Sequence, residues 1–352
     1  MSADLRPNPA LAVARLAQER HAVRRRRERF GRLLAATGAA IVVLSILVIP
    51  AFLLFELLPH ARMPEGVGGR FLLLLAGTLK AGLIAVLVAF PIGLGAAIHI
   101  VCFATGRWRA GFRAVLDVLA AIPTVVLGLI ALTWLAPWLR SHVATLLVLA
   151  AVALAAVLVV SVVFGRPLRA RRSWLPLIVL PMLVLVAGVI VGLDPLVDAI
   201  AVDTPWNGLL VGLALGVAAI PLVCAVIGEV LQAAWDRHVD AAIALGASRW
   251  QALRSLVLPA SAPGLVAAAL LAFGRCTGET MVLLMASGNT PIASLDPRDG
   301  LRSLSAELAL SLPGAERGSL AWQVLLFATL ALFLLSFACN FAAGRIRGRL
   351  SS

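Results

Sequence analysis

Eight stretches of this chain, at 33–58, 71–103, 114–137, 142–164, 174–193, 207–233, 262–286 and 320–343, are predominantly apolar for twenty residues or more. A helix rises 1.5 Å per residue, so about 20 residues cross the ~30 Å hydrocarbon layer of a bilayer. In lipid such a run can satisfy its backbone polar groups only through its own helical hydrogen bonds. The chain is therefore expected to be an all-α polytopic membrane protein with about eight transmembrane helices. Composition agrees, with 61% hydrophobic and only 13% charged residues in 352.

Arginine sets the expected orientation, because cytoplasmic loops carry the excess of positive charge. An even number of spans puts both termini on one side. With that side cytoplasmic, 22 of the 30 basic residues fall in the inner segments 1–32, 104–113, 165–173, 234–261 and 344–352, against six in the outer loops. The net charge of +13 then reads as a topology signal with attraction to anionic lipid. Nucleic acid is not an expected partner, since no aromatic-basic platform or groove-reading motif accompanies the charge. The run "RRRRER" at 24–29 precedes a span too long for a cleavable signal peptide, so that span is expected to remain as a helix.

Cys102, Cys224, Cys276 and Cys339 lie in or at the ends of predicted spans without paired spacing, and read as small packing residues. The five histidines show no ligand spacing, so neither a metal nor another cofactor is expected. A Walker A loop needs Gly-Lys-Ser/Thr, and the only lysine, Lys80, follows Leu79. Any ATP-driven work would need the nucleotide on another chain.

One charged pair interrupts the seventh apolar run. In "GRCTGETM", residues 274–281, Arg275 and Glu279 stand four apart. On a continuous helix they would share a face about 6 Å apart and neutralise each other, though in the weaker order for such a pair. An unpaired charge at bilayer centre costs roughly 2.5–3.5 kcal/mol on insertion scales, so the pair calls for a reason. Gly274 and Gly278 form a small-xxx-small edge that admits a neighbouring helix.

The polar interruption "DAAIALGASRWQALRSLVLPASAPG", 240–264, reads as a short helix to Leu245, a stop at Gly246, a Ser248–Gln251 capping box opening a second short helix, and an end at Pro259. Such a unit is either a protruding knob that moves as one body or an ordinary amphipathic connector. Further on, Leu301, Leu304, Leu308 and Leu312 follow helical spacing and predict an amphipathic helix on the outer surface, resting on lipid or meeting a partner. Lys80, about nine residues into the second span, either snorkels outward or serves a pathway. Pro91 and Pro123 are expected to kink or break their spans, and Glu229 to be interfacial.

The 240–264 stretch resembles the EAA loop of ABC-importer permeases: Asp240, Ala241, Ala242, Gly246, Leu256, Leu258 and Pro259 match its pattern at every spacing, with Asp240 in place of the usual Glu. The segments 77–100, 120–137, 207–221 and 274–291 are similar to those of phosphate-import permeases. Gly-Glu-Thr-Met followed by Ser-Gly-Asn resembles the PstC-type subunit rather than the PstA-type. The resemblance covers about 71–345 and is weakest over 138–206.

It implies a type I ABC-importer permease core at 71–345 with an insert of two extra spans at about 138–206 and an ATPase-coupling loop at 240–258. Flanking this core are a basic cytoplasmic tail at 1–32, a first span with a short outer loop at 33–70, and a tail at 346–352. It implies a bacterial inner-membrane location and three kinds of partner: a second, PstA-type permease, ATPase subunits gripping the coupling loop, and a phosphate-binding protein. The chain itself would be a transporter subunit, not an enzyme. Arginine suits an oxyanion, because its planar fork donates two parallel hydrogen bonds and stays charged. Glu279 can accept a hydrogen bond from protonated phosphate, which disfavours sulfate. Arg275, Glu279 and Thr280, with Thr78 and Lys80, are thus candidate pathway residues. The alternatives are an ion pair that only pins two helices, a permease for sulfate or molybdate, and a membrane scaffold that binds the ATPase without transport.

Overall fold

The computed structural model describes residues 9–58, 67–139, 206–294 and 296–348, with the backbone alone over 9–29. They fall into two units, residues 1–61 and 62–352. Unit one is a single helix, α1 (Pro9–Leu57), which continues through Pro50 and whose stretch Phe30–Leu57 is apolar enough to cross a membrane. Ile41, Val42, Val43 and Leu44 are all exposed, so this stretch of the helix is apolar on every side, as a lipid-facing segment is.

Unit two contains α2 (Val67–Ile98), α3 (Gly106–Ala121), α4 (Thr124–Ile130), α5 (Gly208–Ala244), α6 (Arg249–Ala252), α7 (Leu258–Thr277), α8 (Met281–Ala286), α9 (Leu304–Ser311) and α10 (Leu320–Gly348). Three five-residue π turns extend these elements: His99–Phe103 after α2, Ala131–Leu135 after α4, and Leu253–Val257 between α6 and α7. Among the described residues there is no strand, only a single bridge between Gly288 and Leu301. Five helices are long and apolar enough to cross a membrane, or six when α3 and the α4 segment count as one bent span. This is an all-α, multi-pass membrane protein. The spans predicted at 142–164 and 174–193 lie outside the described residues.

The core is built on α2 against α5. Small residues bring the two backbones close: a Cβ at Gly216 would lie 2.8 Å from the Val88 side chain, and one at Gly93 would lie 2.6 Å from Val223. Ala81, Ala85 and Ala89 complete the α2 face. The register rises on both helices together, Ile84 meeting Gly212 and Val88 meeting Gly216, so α2 and α5 run parallel. Close helix approach through small residues replaces the missing hydrophobic drive between helices in lipid. The α7 helix then packs on α5, α2 and α10.

Several expectations need correction. Pro123 does break the third predicted span, with an 89° bend between α3 and the segment from Thr124 to Leu139, but α3 begins at Gly106 and buries no residue. Pro91 leaves α2 uninterrupted. The seventh predicted span is not continuous, since α7 stops at Thr277 and α8 starts at Met281. Asp240–Leu245 is no separate short helix, because α5 runs 37 residues to Ala244. Nor does Pro259 end the second one. It sits where the 253–257 π turn passes into α7, and the helical path runs on through it from Arg249 to Thr277.

Candidate functional site

Arg275 occupies the last turn of α7 and Glu279 lies past its end. The helix closes on tightened bonds, with the Gly278 N–H donating to the Arg275 carbonyl at 3.2 Å and the Glu279 N–H to the Cys276 carbonyl at 3.3 Å. Gly278 weakens the helix at this point, and the Glu279 carbonyl is captured by another element, accepting from the Ser305 hydroxyl at 2.7 Å. The expected clasp across one helix face is therefore absent: among the described residues no ion pair engages either Arg275 or Glu279. A cation in the last turn is favoured by the helix dipole, which offsets part of the missing pairing. Of the expected small-residue edge, Gly274 does meet a neighbour, with Cys339 of α10 3.0 Å from where a Cβ would stand, whereas Gly278 is the helix end.

Arg275 faces space. It lines a cavity of about 630 Å³ walled by the end of α2, by α3 and by α5, whose polar lining is Arg113, Asp117, Glu229 and Gln232. It also borders a smaller cavity of about 30 Å³ together with Glu279, Cys276 and Thr124. Arg275 thus borders both spaces, with two carboxylates lining the larger one and Glu279 the smaller. Thr280 lies beside Glu279 and opens α8, its carbonyl accepting from the Leu284 N–H at 2.8 Å.

Arg113 and Asp117 were not anticipated as site residues. Their signal was a charged pair at i, i+4 on an amphipathic stretch, but the reading of 104–113 as loop concealed that they share a helix. The bend at Pro123 turns that helix so that both line the cavity. Glu229, expected at the interface, lines it too.

Thr78 and Lys80 lie elsewhere. Lys80 does not snorkel outward: it is buried, and its Nζ donates to the backbone carbonyls of Ser294 (3.3 Å) and Asp299 (3.2 Å). The same loop covers the start of α5, where the Gly208 and Leu209 N–H groups donate to the Asp299 and Pro297 carbonyls and Asn207 caps the Leu210 N–H. Lysine, loop and helix start thereby satisfy one another's buried polar groups. Within this loop Arg298, through its side chain and then its backbone N–H, holds the Asp296 carboxyl down at about 2. Thr78 is fully buried, donates to the Leu74 carbonyl and accepts from the Leu304 N–H at 2.9 Å.

The helix expected on the outer surface is instead inserted. Leu301, Leu304, Ser305, Ala306 and Glu307 are buried, and α9 packs against α2, α8 and α10. Glu307, at 2% exposure, meets Arg70 at 2.7 Å and Arg302 at 2.6 Å and accepts from Ser311 at 3.0 Å. Two cations compensate one buried carboxylate, the arrangement such a burial demands. The apolar spacing concealed this insertion because it reports one face only.

At the opposite end of α5, Gly246 takes φ +83°, the left-handed conformation of a helix stop. The Ser248–Gln251 capping box is formed as expected, with the Ser248 N–H donating to Gln251 and the Gln251 N–H to Ser248. Leu245 is 89% exposed and Trp250 55%. Ile243 and Leu256 are exposed beside them, and Asp240 and Ala241 are exposed at the end of α5 while Ala242 is buried. At 37 residues α5 is about 55 Å long and outruns the ~30 Å hydrocarbon layer, so the hairpin can stand clear of lipid.

Comparison with known proteins places this chain. The family of binding-protein-dependent transport system inner membrane components matches residues 169–352, just over half of the chain, including the hairpin, the Arg275 break and α9. The phosphate transport system permease protein PstC 2 of Mycobacterium tuberculosis is 28% identical over 346 residues, covering 92% of this chain and 93% of its own. PstC of Haemophilus influenzae is 24% identical over 318 residues, covering 85% and 87%. A chain of the inward-facing MetNI methionine ABC transporter aligns over 77% of this chain at TM-score 0.46 and 16% identity. With the family match spanning the hairpin and the broken helix, the chain belongs to the binding-protein-dependent transport system inner membrane components.

Proposed function

We propose that this chain is the permease subunit of an ATP-driven phosphate importer, that Arg275 meets the crossing oxyanion, and that separate ATPase subunits drive it through the 240–258 hairpin. The observation that carries this reading is that Arg275 lines both cavities and has no ion-pair partner among the described residues. Its fork replaces part of the hydration that a phosphate loses on leaving water. Glu279 and Thr280 flank the same break, where Glu279 accepts from a protonated phosphate and repels an unprotonated one. The names of the similar mycobacterial and Haemophilus proteins support phosphate as the cargo. Thr78 and Lys80 act at one remove, by fixing the elements that carry the break.

Coupling follows from continuity. From Arg249 the helical path leads through the 253–257 π turn to Thr277, so a displacement of the hairpin travels along α7 to the turn that holds Arg275. Asp240, Ala241, Gly246, Leu256, Leu258 and Pro259, with the buried Ala242 beneath, form the docking unit, and exposed Leu245 and Trp250 add apolar contact. A second permease chain completes the pathway and a phosphate-binding protein delivers the anion at the end bearing α9. The hairpin and both termini face the cytoplasm, in keeping with the arginine distribution. The experiment is uptake of radiolabelled phosphate by cells carrying the full transporter, with sulfate and molybdate as competitors. Competition by unlabelled phosphate alone fits the reading; equal competition by sulfate makes the chain a general oxyanion permease.

A further inference from the structure

The break between α7 and α8 is held from outside the two helices. Ser305, 3% exposed on α9, donates its hydroxyl to the Glu279 carbonyl at 2.7 Å. A serine has one hydroxyl proton. With that proton committed to Glu279, the 3.0 Å contact between the Ser303 and Ser305 hydroxyls must run from Ser303 to Ser305, and Ser303 in turn accepts from the Ala306 N–H at 3.0 Å. The chain of donors therefore points one way, from the first turn of α9 to the Glu279 backbone. The helix that carries it is anchored twice, by Glu307 between Arg70 and Arg302 and by the Leu304 N–H on Thr78.

Were α7 to continue through Gly278, the Glu279 N–H would bond the Arg275 carbonyl and the two side chains would stand one turn apart, close enough to pair. We infer that Ser305 is a positioning residue: it holds the helix open after Thr277 and so keeps Glu279 from closing on Arg275, leaving the guanidinium free for an anion. The anion-binding consequence rests on the proposed role of Arg275, whereas the effect on the break does not.

Two measurements on the full transporter test this. The first is phosphate uptake by Ser305→Ala, Glu279→Gln and the double variant. Loss of one hydrogen bond, worth about 1 kcal/mol net, gives about a fivefold rise in KM for Ser305→Ala, with the maximal rate changed less than about twofold. No further rise is expected when Ser305→Ala is added to Glu279→Gln, because the competing carboxylate is already gone. An equal rise on both backgrounds overturns the inference and makes Ser305 a packing residue. The second is hydrogen–deuterium exchange over 275–285, which reads the break whether or not Arg275 handles phosphate. Slower exchange of the 279–282 amides in Ser305→Ala is expected as helix extends across the break; unchanged exchange overturns the inference. Parental uptake by Arg275→Met with slowed exchange in Ser305→Ala would defeat the pathway reading alone.

Discussion

Arg275 and Glu279 stand on opposite sides of a helix end, the arginine in the last turn of α7 and the glutamate beyond it, and no ion pair joins them. A charge pair four residues apart in an apolar run would ordinarily be taken for a self-neutralising clasp. Here the backbone breaks between its members and both line cavities instead, which leaves the arginine without an ionic partner among the described residues.

Gly246 tests the coupling hairpin. Its φ of +83° excludes β-branched residues, yet no atom lies within 4 Å of where a Cβ would stand, so a side chain there meets backbone strain and not a clash. Gly246→Val is expected to cost roughly 1–2 kcal/mol and to reorient α6, while Gly246→Asn, which tolerates the left-handed region, is milder. With chain levels equal to the parent, the ratio of phosphate imported to ATP hydrolysed should fall in the valine variant. A parental ratio would contradict coupling through this turn.

The α2–α5 seam makes a stability prediction with its own control. A Cβ at Gly216 would stand 2.8 Å from Val88 and 3.1 Å from the Ala85 carbonyl, whereas at Gly95 it would meet nothing within 4 Å. Gly216→Ala is therefore expected to destabilise the purified chain by about 1–3 kcal/mol, and Gly95→Ala to leave it unchanged or slightly more stable. Thermal unfolding in detergent separates the two; equal midpoints would mean the seam is looser than described.

How much of this was legible beforehand depends on what each pattern reports. Apolar runs are long-range and redundant, so an all-α membrane chain was plain from the sequence, and the Gly246 stop and Ser248–Gln251 box were legible because caps are local. The break after Thr277 was not, because its cause is partly tertiary: Gly278 alone permits a helix, and it is Ser305, 26 residues on, that takes the Glu279 carbonyl. Lys80 was open for the same reason, since the carbonyls that hold it belong to a loop more than two hundred residues away. Of the candidate site, Arg275, Glu279 and Thr280 could be named in advance, whereas Glu229 was expected only at the interface. Arg113 and Asp117 line the cavity from α3, which meets the segment after Pro123 at 89°, an arrangement that the apolar pattern does not report.

Glu307 carries the anchoring of α9. Removing its carboxylate leaves Arg302, 17% exposed, without its partner, and Arg70, 47% exposed, free to reach water. Breaking a buried pair costs about 3–5 kcal/mol, and the exposure of Arg70 puts Glu307→Ala near the lower figure. Arg70→Ala should cost less than half as much. A melting temperature for Glu307→Ala within a degree of the parent would show that the triad is not what seats α9.

The most direct test of the account is uptake of radiolabelled phosphate by Arg275→Met in the assembled transporter, with the amount of complex and its basal ATP hydrolysis measured alongside. Methionine keeps an unbranched apolar stem and removes the fork. A charged donor pair to an oxyanion is worth at least about 1.5 kcal/mol, so uptake should fall by at least about tenfold while assembly and basal hydrolysis persist, with Arg275→Lys falling between. Uptake at the parental rate by an assembled Arg275→Met complex would contradict the central claim that this arginine meets the phosphate.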